Sequence, residues 1–172
     1  GTGTGAAPVI AEIAREKGIL TVGVVTNPFS TEGGYRKQYA EDGLAELKKY
    51  VDTLLIINND KLIEVYGDLT FTQAFGKANE VLNTATKGIA EVISQHLLVN
   101  IDLNDARKVL ENSGTAVMGQ AIAEGENRAI EAVIGALDSP LLNDNDITGA
   151  QQVLLKIVTG TGDDEIKMSE LF

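Results

Sequence analysis

The chain opens with glycine and threonine in alternation, Gly1, Thr2, Gly3, Thr4 and Gly5, directly before a helical pattern. Glycine lets a backbone approach a ligand closely, the threonine hydroxyls can donate hydrogen bonds, and the first turn of a helix has unpaired N–H groups. These properties suit a phosphate group. The segment lacks the Gly-Lys-Ser/Thr of a Walker A loop. A structural turn before a helix also explains these residues, and alone they leave both interpretations open.

A second polar segment, PFSTEGGYR at residues 28–36, follows an apolar, strand-like run. Loops at the carboxyl ends of parallel strands form the usual ligand crevice of α/β proteins. Glu32 could accept hydrogen bonds from ribose hydroxyls, and Arg36 could pair with a phosphate or a base. An ordinary strand-to-helix loop with an ion pair is the alternative.

A third group combines Asn58-Asn59-Asp60, which follows a second apolar run, with Phe75 and Asn79 on a helical pattern. Phe75 and Asn79 are four residues apart and therefore share one face of a helix. A ring that stacks on a base, beside an amide that reads its edge, suits a purine. The alternatives are a helix cap for the asparagine pair, and a core Phe beside a solvated Asn.

Two carboxylates, Asp102 and Asp105, stand three residues apart in the segment NIDLND, which begins at Asn100. At a helix start such residues cap the helix and interact favourably with its dipole. They could equally polarise an attacking water or help to hold a cation. His96 is the only histidine, which excludes a multi-histidine zinc site, and we assign it no role.

Composition limits the classes of partner. The net charge of −11 argues against nucleic acid or an anionic membrane surface, because both are bound by clustered Lys and Arg. The chain has no cysteine, which fits a cytosolic protein, and no apolar run is long enough to span a membrane. It starts inside the glycine segment without a Met, so we expect truncation at both ends.

Helix and strand patterns alternate along the chain, which predicts an α/β fold with a largely parallel sheet. The glycine segment is predicted to be a loop. Helices are predicted at 7–17, 35–50, 61–66, 70–96, 106–111 and 127–137, and strands at 19–26, 53–57, 116–123 and 153–159. The longest helix carries an apolar stripe that includes Phe75, Ala78, Leu82 and Ala85.

Taken in order, these segments resemble the signature segments of the tubulin/FtsZ family. GTGTGAAPVIA resembles the glycine loop GGGTGTG without its first two glycines, and PFSTEGGYR resembles PFxxEGxxR. INNDKL is similar to the NDKL segment, AFGKANEVL to the start of the central helix, and NIDLND to the NxDxxD loop. The segments SGTAVMGQAIAEGENRA and SPLLNDNDITGA also resemble the bacterial form of the fold.

The resemblance implies the second half of a Rossmann-like parallel-sheet GTPase domain, then a long central helix, then the start of a smaller α+β domain. The implied boundaries are 1–68, 69–99 and 100–172. The family assembles head to tail into protofilaments of the bacterial division ring, in the cytoplasm at mid-cell. The resemblance implies GTP or GDP as the ligand, with Mg²⁺ bound alongside the nucleotide. The implied partners are other copies of the chain, and membrane anchors and regulators recruited by a tail absent here. It implies neither nucleic acid binding nor direct membrane insertion.

The resemblance also implies roles for individual residues. Residues 1–5 would face the phosphates, with Thr2 and Thr4 as hydroxyl donors. Glu32 would meet the ribose, and Pro28 and Arg36 would lie near the nucleotide. Asn59, Phe75 and Asn79 would form the guanine pocket. Asn100, Asp102 and Asp105 would serve catalysis. No protein side chain is assigned to a metal.

Spacing along the long helix bears on catalysis. Phe75 and His96 are 21 residues apart, about 30 Å along a helix, and the aspartates lie beyond. They therefore cannot act on a nucleotide beside Phe75 in the same copy, and either they are not catalytic or they serve the next copy. A non-hydrolysing structural relative is the alternative function. A Rossmann oxidoreductase ranks low because the GxGxxG pattern is absent.

Overall fold

The computed structural model describes residues 2–94, 101–139 and 150–171. Gly1, His96 and Asn100 lie outside this range, and the side chain of Thr2 is not described. The helices are α1 (Thr2–Glu16), α2 (Gly34–Leu47), α3 (Asn59–Tyr66), α4 (Phe71–Ser94), α5 (Leu103–Leu110) and α6 (Arg128–Leu137). The strands are β1 (Val22–Asn27), β2 (Thr53–Asn58) and β3 (Gly114–Ala116).

The three strands form one parallel sheet in the order β1-β2-β3. Val22 of β1 pairs with Thr53 and Asn27 with Asn58, while β3 pairs with the first half of β2. The central strand β2 has the sequence TLLIIN, and its first three residues are buried without alternation. A continuous apolar run of this kind is typical of a parallel strand covered on both faces. The predicted α/β class is confirmed.

Successive residues of β2 point to opposite faces, and each face has its own core. Leu54 packs with Ala11 of α1 and Leu47 of α2. Leu55 and Ile57 pack on the other face with α4, which contributes Ala74, Ala78, Val81 and Ala85. The small side chains of α4 let this helix lie close to the sheet, so the sheet is a middle layer between α4 and the α1–α2 pair.

The predicted stripe on the long helix is confirmed in part. Ala78, Ala85 and Val92 are buried, whereas Phe75, Leu82 and Ile89 are half-buried at the edge of the core. The helix runs over 24 residues, about 36 Å at 1.5 Å per residue. It is therefore long enough to connect opposite edges of the sheet.

The glycine segment was predicted as a loop, and that prediction is wrong for Thr2–Gly5, because α1 begins at Thr2. Glycine is a poor helix former on its own. Packing against α2 outweighs that preference: a Cβ added at Gly43 would lie 2.9 Å from Thr4 Cγ2, so the two helices are in close contact there. The segment is the first turn of a helix rather than a separate loop.

The strand predicted at 116–123 is also wrong, since the ladder on β2 ends at Ala116. Beyond that point the chain leaves the sheet and follows the helices. A Cβ at Gly88 of α4 would lie 2.4 Å from Met118 Cε, and one at Gly119 would lie 2.0 Å from the carbonyl oxygen of Ala136 in α6. Close contact with α4 and α6 replaces strand pairing here.

The strand predicted at 153–159 does not form among the described residues. The segment lies beside α4 instead, because Lys156 Nζ donates to Glu91 Oε2 at 2.7 Å. Val153, Leu155 and Ile157 are exposed while Leu154 and Lys156 are half-buried, so the side chains keep the alternation of a strand without its backbone pairing.

The last described residues are held to the start of α6 by one arginine. Arg128 Nε and Nη2 donate to the two carboxylate oxygens of Glu170, at 2.7 and 3.0 Å. The same guanidinium donates to the carbonyl oxygens of Asp164 and Glu165. Within the described ranges, no helix has both the length and the apolarity needed to cross a membrane.

Candidate functional site

The loop after β1 is organised around Glu32. Phe29 is buried, and its backbone N–H donates to Glu32 Oε1 at 2.9 Å. Arg36 Nη1 lies 3.7 Å from Glu32 Oε2, with 12% of the Glu32 side chain exposed and 66% of the Arg36 side chain exposed. Gly33 has φ 97°, a conformation that favours glycine. The loop therefore holds the carboxylate in a fixed place and leaves the guanidinium in solvent.

The loop after β2 separates the two asparagines. Asn58 is the helix cap, because its side-chain oxygen accepts from the N–H of Asp60 at 3.1 Å. Asn59 is only 4% exposed, and its Oδ1 has no hydrogen-bond partner among the described residues. A buried acceptor without a partner is costly, which is typical of functional positions. The capping alternative is thus satisfied by Asn58, and Asn59 remains a candidate ligand contact.

The two loops meet each other and the start of α4. The N–H of Ser30 donates to Asp60 Oδ1 at 3.0 Å, which joins the loop after β1 to the loop after β2. Phe29 and Phe75 are in edge contact, with ring centroids 5.1 Å apart. Pro28 sits between β1 and the buried Phe29. The residues predicted to line the ribose and base sides of a nucleotide therefore belong to one connected region.

Phe71 belongs to this region as well and was not singled out in the sequence. Its ring centroid lies 4.9 Å from that of Phe75, and the side chain is largely exposed. The signal in the sequence was the pair of aromatics four residues apart at the start of a helix. Asn79 is exposed one turn further along α4. Phe71 and Asn79 are exposed on either side of the half-buried Phe75, and the three form one strip along the first turns of this helix.

The start of α1 lies beside the second half of α2 rather than beside the first turn of α2. Thr4 packs against Gly43, which is seven residues beyond Arg36 and so about 10 Å away along the helix. Gly1 is outside the described residues. Gly3 and Gly5 are exposed, and no atom lies within 4 Å of a Cβ added at either one. This turn is open on the side where its glycines lie.

Asp102 and Asp105 are both at the start of α5. Asp102 caps the helix, with its Oδ1 accepting from the N–H of Asp105 at 2.8 Å, and Asp105 Oδ1 lies 3.7 Å from Lys108 Nζ. The capping interpretation of Asp102 is confirmed. Both carboxylates are exposed, so they are also available to a molecule outside the chain.

The position of α5 separates these aspartates from the other candidates. Thr53 Oγ1, at the amino end of β2, donates to the carbonyl oxygen of Leu110, the last residue of α5. Asn59 directly follows the opposite end of that strand, six residues or about 20 Å away. Phe75 and Ser94 are likewise about 28 Å apart along α4. The structure therefore brings Pro28, Glu32, Arg36, Asn59, Phe75 and Asn79 into one region, whereas the helix that begins at the two aspartates ends at the opposite edge of the sheet.

Among the residues that the structure describes, no three His, Asp or Glu side chains cluster in a way that could hold a metal ion. A hard cation such as Mg²⁺ is commonly held by one or two carboxylates, waters and the phosphates of a bound nucleotide. Such a cation would therefore depend on the ligand that accompanies it.

The parallel sheet, the helix layers on both of its faces and the polar loops at its carboxyl edge define a three-layer α/β protein with a ligand crevice. Residues 1–67 match the Tubulin/FtsZ family, GTPase domain, and residues 114–171 match the FtsZ family, C-terminal domain. The chain belongs to the Tubulin/FtsZ family, and the family resemblance of its sequence segments is confirmed.

Individual proteins similar to the chain support the same family. The chain is 52% identical over 161 residues to a cell division protein FtsZ of Wigglesworthia glossinidia brevipalpis, and 54% identical over 161 residues to one of Buchnera aphidicola from Acyrthosiphon pisum. Each match covers 93% of this chain and 42% of the relative. The structure is similar to an empty FtsZ dimer of M. jannaschii, with TM-score 0.80 and 48% identity over 83% of this chain and 42% of that one. The chain thus spans under half the length of these relatives.

Proposed function

We propose that this chain binds a guanine nucleotide at the carboxyl ends of β1 and β2 and takes part in hydrolysing GTP. The observation that carries the proposal is the unpaired, buried acceptor of Asn59, placed in the same region as Glu32 and Phe75. Guanine presents N–H donors on one edge, so an unpaired acceptor of this kind suits it. Family membership supports the same ligand.

The proposed contacts divide among three parts of the nucleotide. Phe75 and Phe71 stack against the base, while Asn59 and Asn79 contact its edge. Asn79 has both a donor and an acceptor but no charge, so it binds the guanine N–H groups less strongly than a carboxylate would. Glu32 accepts from the ribose hydroxyls, with Pro28 and Arg36 beside it.

The phosphates lie against residues 1–5 in this proposal. The first turn of α1 offers free N–H groups and the positive end of a helix dipole, and its glycines leave the backbone open. Thr2 and Thr4 contribute hydroxyl donors. Mg²⁺ bound with the phosphates would neutralise part of their charge during hydrolysis.

The catalytic carboxylates act between copies. Asp102 and Asp105, with Asn100, orient and activate the attacking water for the nucleotide of the adjacent copy. Two observations support this arrangement: the aspartates are exposed, and the helix that carries them ends at the edge of the sheet opposite the loops after β1 and β2. Copies then assemble head to tail, and hydrolysis depends on assembly.

The relatives' name indicates the cellular setting. The relatives that the chain resembles include proteins named cell division protein FtsZ. Their name supports a role in the bacterial division ring, in the cytoplasm at mid-cell. Partners are further copies of the chain, together with membrane anchors and regulators that bind elsewhere in the full-length protein. Nucleic acid and direct membrane insertion have no part in this proposal.

The test uses a polypeptide of the relatives' full length that contains these 172 residues. Asp105→Ala is expected to bind GTP as before and to lose turnover, because the water is no longer activated. Asp42→Ala, which removes an exposed carboxylate from α2, is the matched control and should keep its turnover.

A mixing experiment tests action between copies. At a GTP concentration too low to fill the weakened site, Asn59→Ala, which loses the base contact, and Asp105→Ala are each expected to be inactive alone. Mixed, they should regain part of the turnover, because intact aspartates of one variant reach the nucleotide bound by the other. No recovery would contradict catalysis between copies, and assembly of the unsubstituted polypeptide without any turnover would identify a non-hydrolysing structural relative.

A further inference from the structure

One buried hydroxyl at the amino end of β2 is hydrogen-bonded to the end of α5. Thr53 is only 1% exposed. Its Oγ1 donates to the carbonyl oxygen of Leu110 and lies 2.5 Å from Ser113 Oγ. A carbonyl only accepts and a hydroxyl carries one proton, so Ser113 donates to Thr53 while Thr53 donates to Leu110. Two hydrogen bonds in series polarise each other and favour a single geometry.

The hydroxyl of Thr53 stands in an otherwise apolar strand. Leu54, Leu55 and Ile57 of β2 are buried without any polar side-chain atom. A β-branched apolar residue would fill the space of Thr53 and suit the strand equally well. What the hydroxyl adds is a partner for Leu110, the last residue of α5, whose carbonyl has none within the helix.

The connection from α5 to β3 is short and closely defined. Asn112 has φ 54° and Gly114 has φ 78°, two left-handed conformations within three residues. The N–H of Gly114 donates to the carbonyl oxygen of Asp52, the residue before Thr53. The backbone of β2 therefore fixes the start of β3, and the side chain of Thr53 fixes the end of α5 beside it.

The anchored end of α5 is opposite the end that carries the two aspartates. Asp102, which caps the helix, stands eight residues before Leu110, about 12 Å along the helix. The residues that α5 buries are Ala106 and Leu110, so its packing is concentrated in its second half. A small tilt at Leu110 would consequently move the exposed carboxylates of Asp102 and Asp105.

We propose that Thr53 is a positioning residue for hydrolysis: its hydroxyl fixes the end of α5, and thereby the place that Asp102 and Asp105 take beside the nucleotide of the adjacent copy. This inference rests on the catalysis between copies proposed above. Thr53 does not reach the nucleotide of its own copy, because Asn59 follows the opposite end of β2, about 20 Å away. Loss of the hydroxyl should therefore lower turnover without weakening nucleotide binding.

Thr53→Val in the full-length polypeptide tests this role. Turnover is measured against GTP concentration, with sedimentation to show that the variant is assembled. We expect kcat to fall about tenfold, because a catalytic group displaced by about 1 Å loses much of its effect, while KM stays the same. Thr53→Ser keeps the hydroxyl and should restore most of the turnover. Thr115→Val, the same substitution at an exposed position of β3, is the control and should leave kcat unchanged.

Ser113→Ala tests the same hydrogen bonds without altering the buried strand. Ser113 is exposed, so its substitution should leave the fold intact even if Thr53→Val unfolds the protein. The variant removes the bond from Ser113 to Thr53 and should lower kcat less than Thr53→Val does, again with KM unchanged. An unchanged kcat in Ser113→Ala or in Thr53→Val would overturn the positioning role.

Mixed assemblies identify which side of the site is damaged. At a low GTP concentration, Thr53→Val mixed with Asn59→Ala should regain turnover, since one variant supplies the nucleotide site and the other supplies well-placed aspartates. Thr53→Val mixed with Asp105→Ala should gain nothing, because both lack well-placed aspartates. Recovery in the second mixture would put the defect in the nucleotide site and overturn the inference. Full turnover by Asp105→Ala alone would instead refute the proposed function itself.

Discussion

At the scale of one residue, Asn59 is the buried polar group on which the proposed base contact rests. Its neighbour Asn58 has the same side chain but caps α3 through the N–H of Asp60. Asn59 is buried with an acceptor that has no partner among the described residues. An unpaired buried polar group destabilises a protein by about 1–3 kcal/mol, and this cost supports the ligand contact proposed for Asn59.

Asn59→Leu should therefore separate the two properties. Without nucleotide, we expect the free energy of unfolding to stay the same or to rise by about 1 kcal/mol, because the unpaired acceptor is removed. Affinity for guanine nucleotide in the full-length polypeptide should fall about tenfold or more. Thermal unfolding and equilibrium nucleotide binding measure the two effects.

The matched control is Asn58→Leu, which removes the helix cap. It should lower the free energy of unfolding by about 1 kcal/mol. If Asn59→Leu destabilises the protein as much as Asn58→Leu and leaves nucleotide affinity unchanged, Asn59 is a structural residue and the base contact is refuted.

At the scale of elements, Arg128 connects α6 to the last described residues. The guanidinium binds both oxygens of Glu170, and this pairing, together with the N–H of Lys167, lowers the pKa of Glu170 from its ordinary value to about 2. A carboxyl whose folded-state pKa is lowered stabilises the folded state above its unfolded pKa. The contribution disappears as pH falls through the folded value.

The contact should consequently be lost between about pH 4 and pH 2. Glu170→Gln should loosen residues 162–171 already at neutral pH, because the amide cannot form the ion pair. Hydrogen exchange of these backbone amides is the measurement, and faster exchange confined to this segment is expected. Glu165→Gln is the control, since Arg128 contacts only the backbone carbonyl of Glu165; equal exchange in both variants would rule out the ion pair as the cause.

Elements with a strong internal pattern could be predicted from sequence. The apolar run of β2 and the stripe of α4 depend on burial against neighbours that lie in the same chain, and both are found close to the predicted bounds. The strands predicted at 116–123 and 153–159 have equally suitable residues. A strand needs a partner as well as a pattern, and here Met118 and Lys156 contact α4 instead.

The candidate site could be predicted in part for the same reason. Residues at the ends of apolar runs, such as Glu32 and Asn59, are located by their position in the sequence, and the structure joins their loops. The distinction between Asn58 and Asn59 depends on which side chain reaches a backbone N–H, and sequence does not contain that information. The helical conformation of residues 2–5 depends on packing against Gly43, which is a long-range contact.

At the scale of the whole molecule, α6 presents an apolar surface to solvent. The face of α6 made of Ala132, Gly135 and Ala136 is half-buried, and Gly135 lies close enough to Ala121 that a Cβ would approach to 2.9 Å. The opposite face presents four large aliphatic side chains to solvent: Ile130, Val133, Ile134 and Leu137. Exposed apolar patches of this kind promote association.

Ile134→Lys should therefore reduce self-association of the 172-residue chain, because it places a charge in the centre of the patch. Sedimentation over a range of protein concentrations is the measurement, with circular dichroism to show that helix content is unchanged. Glu131→Lys alters charge on an exposed position of the same helix outside the patch and should have little effect. Identical sedimentation of both variants would show that the patch does not drive association.

The end of α5 lies at the edge of the sheet opposite the loops proposed to bind the nucleotide, and this has an arithmetic consequence. If each complete site needs two copies, a row of copies always contains one fewer complete site than it has members. In that proposed arrangement, the copy at one end would keep its GTP while those behind it hydrolyse theirs. One end of the row would therefore differ chemically from the rest.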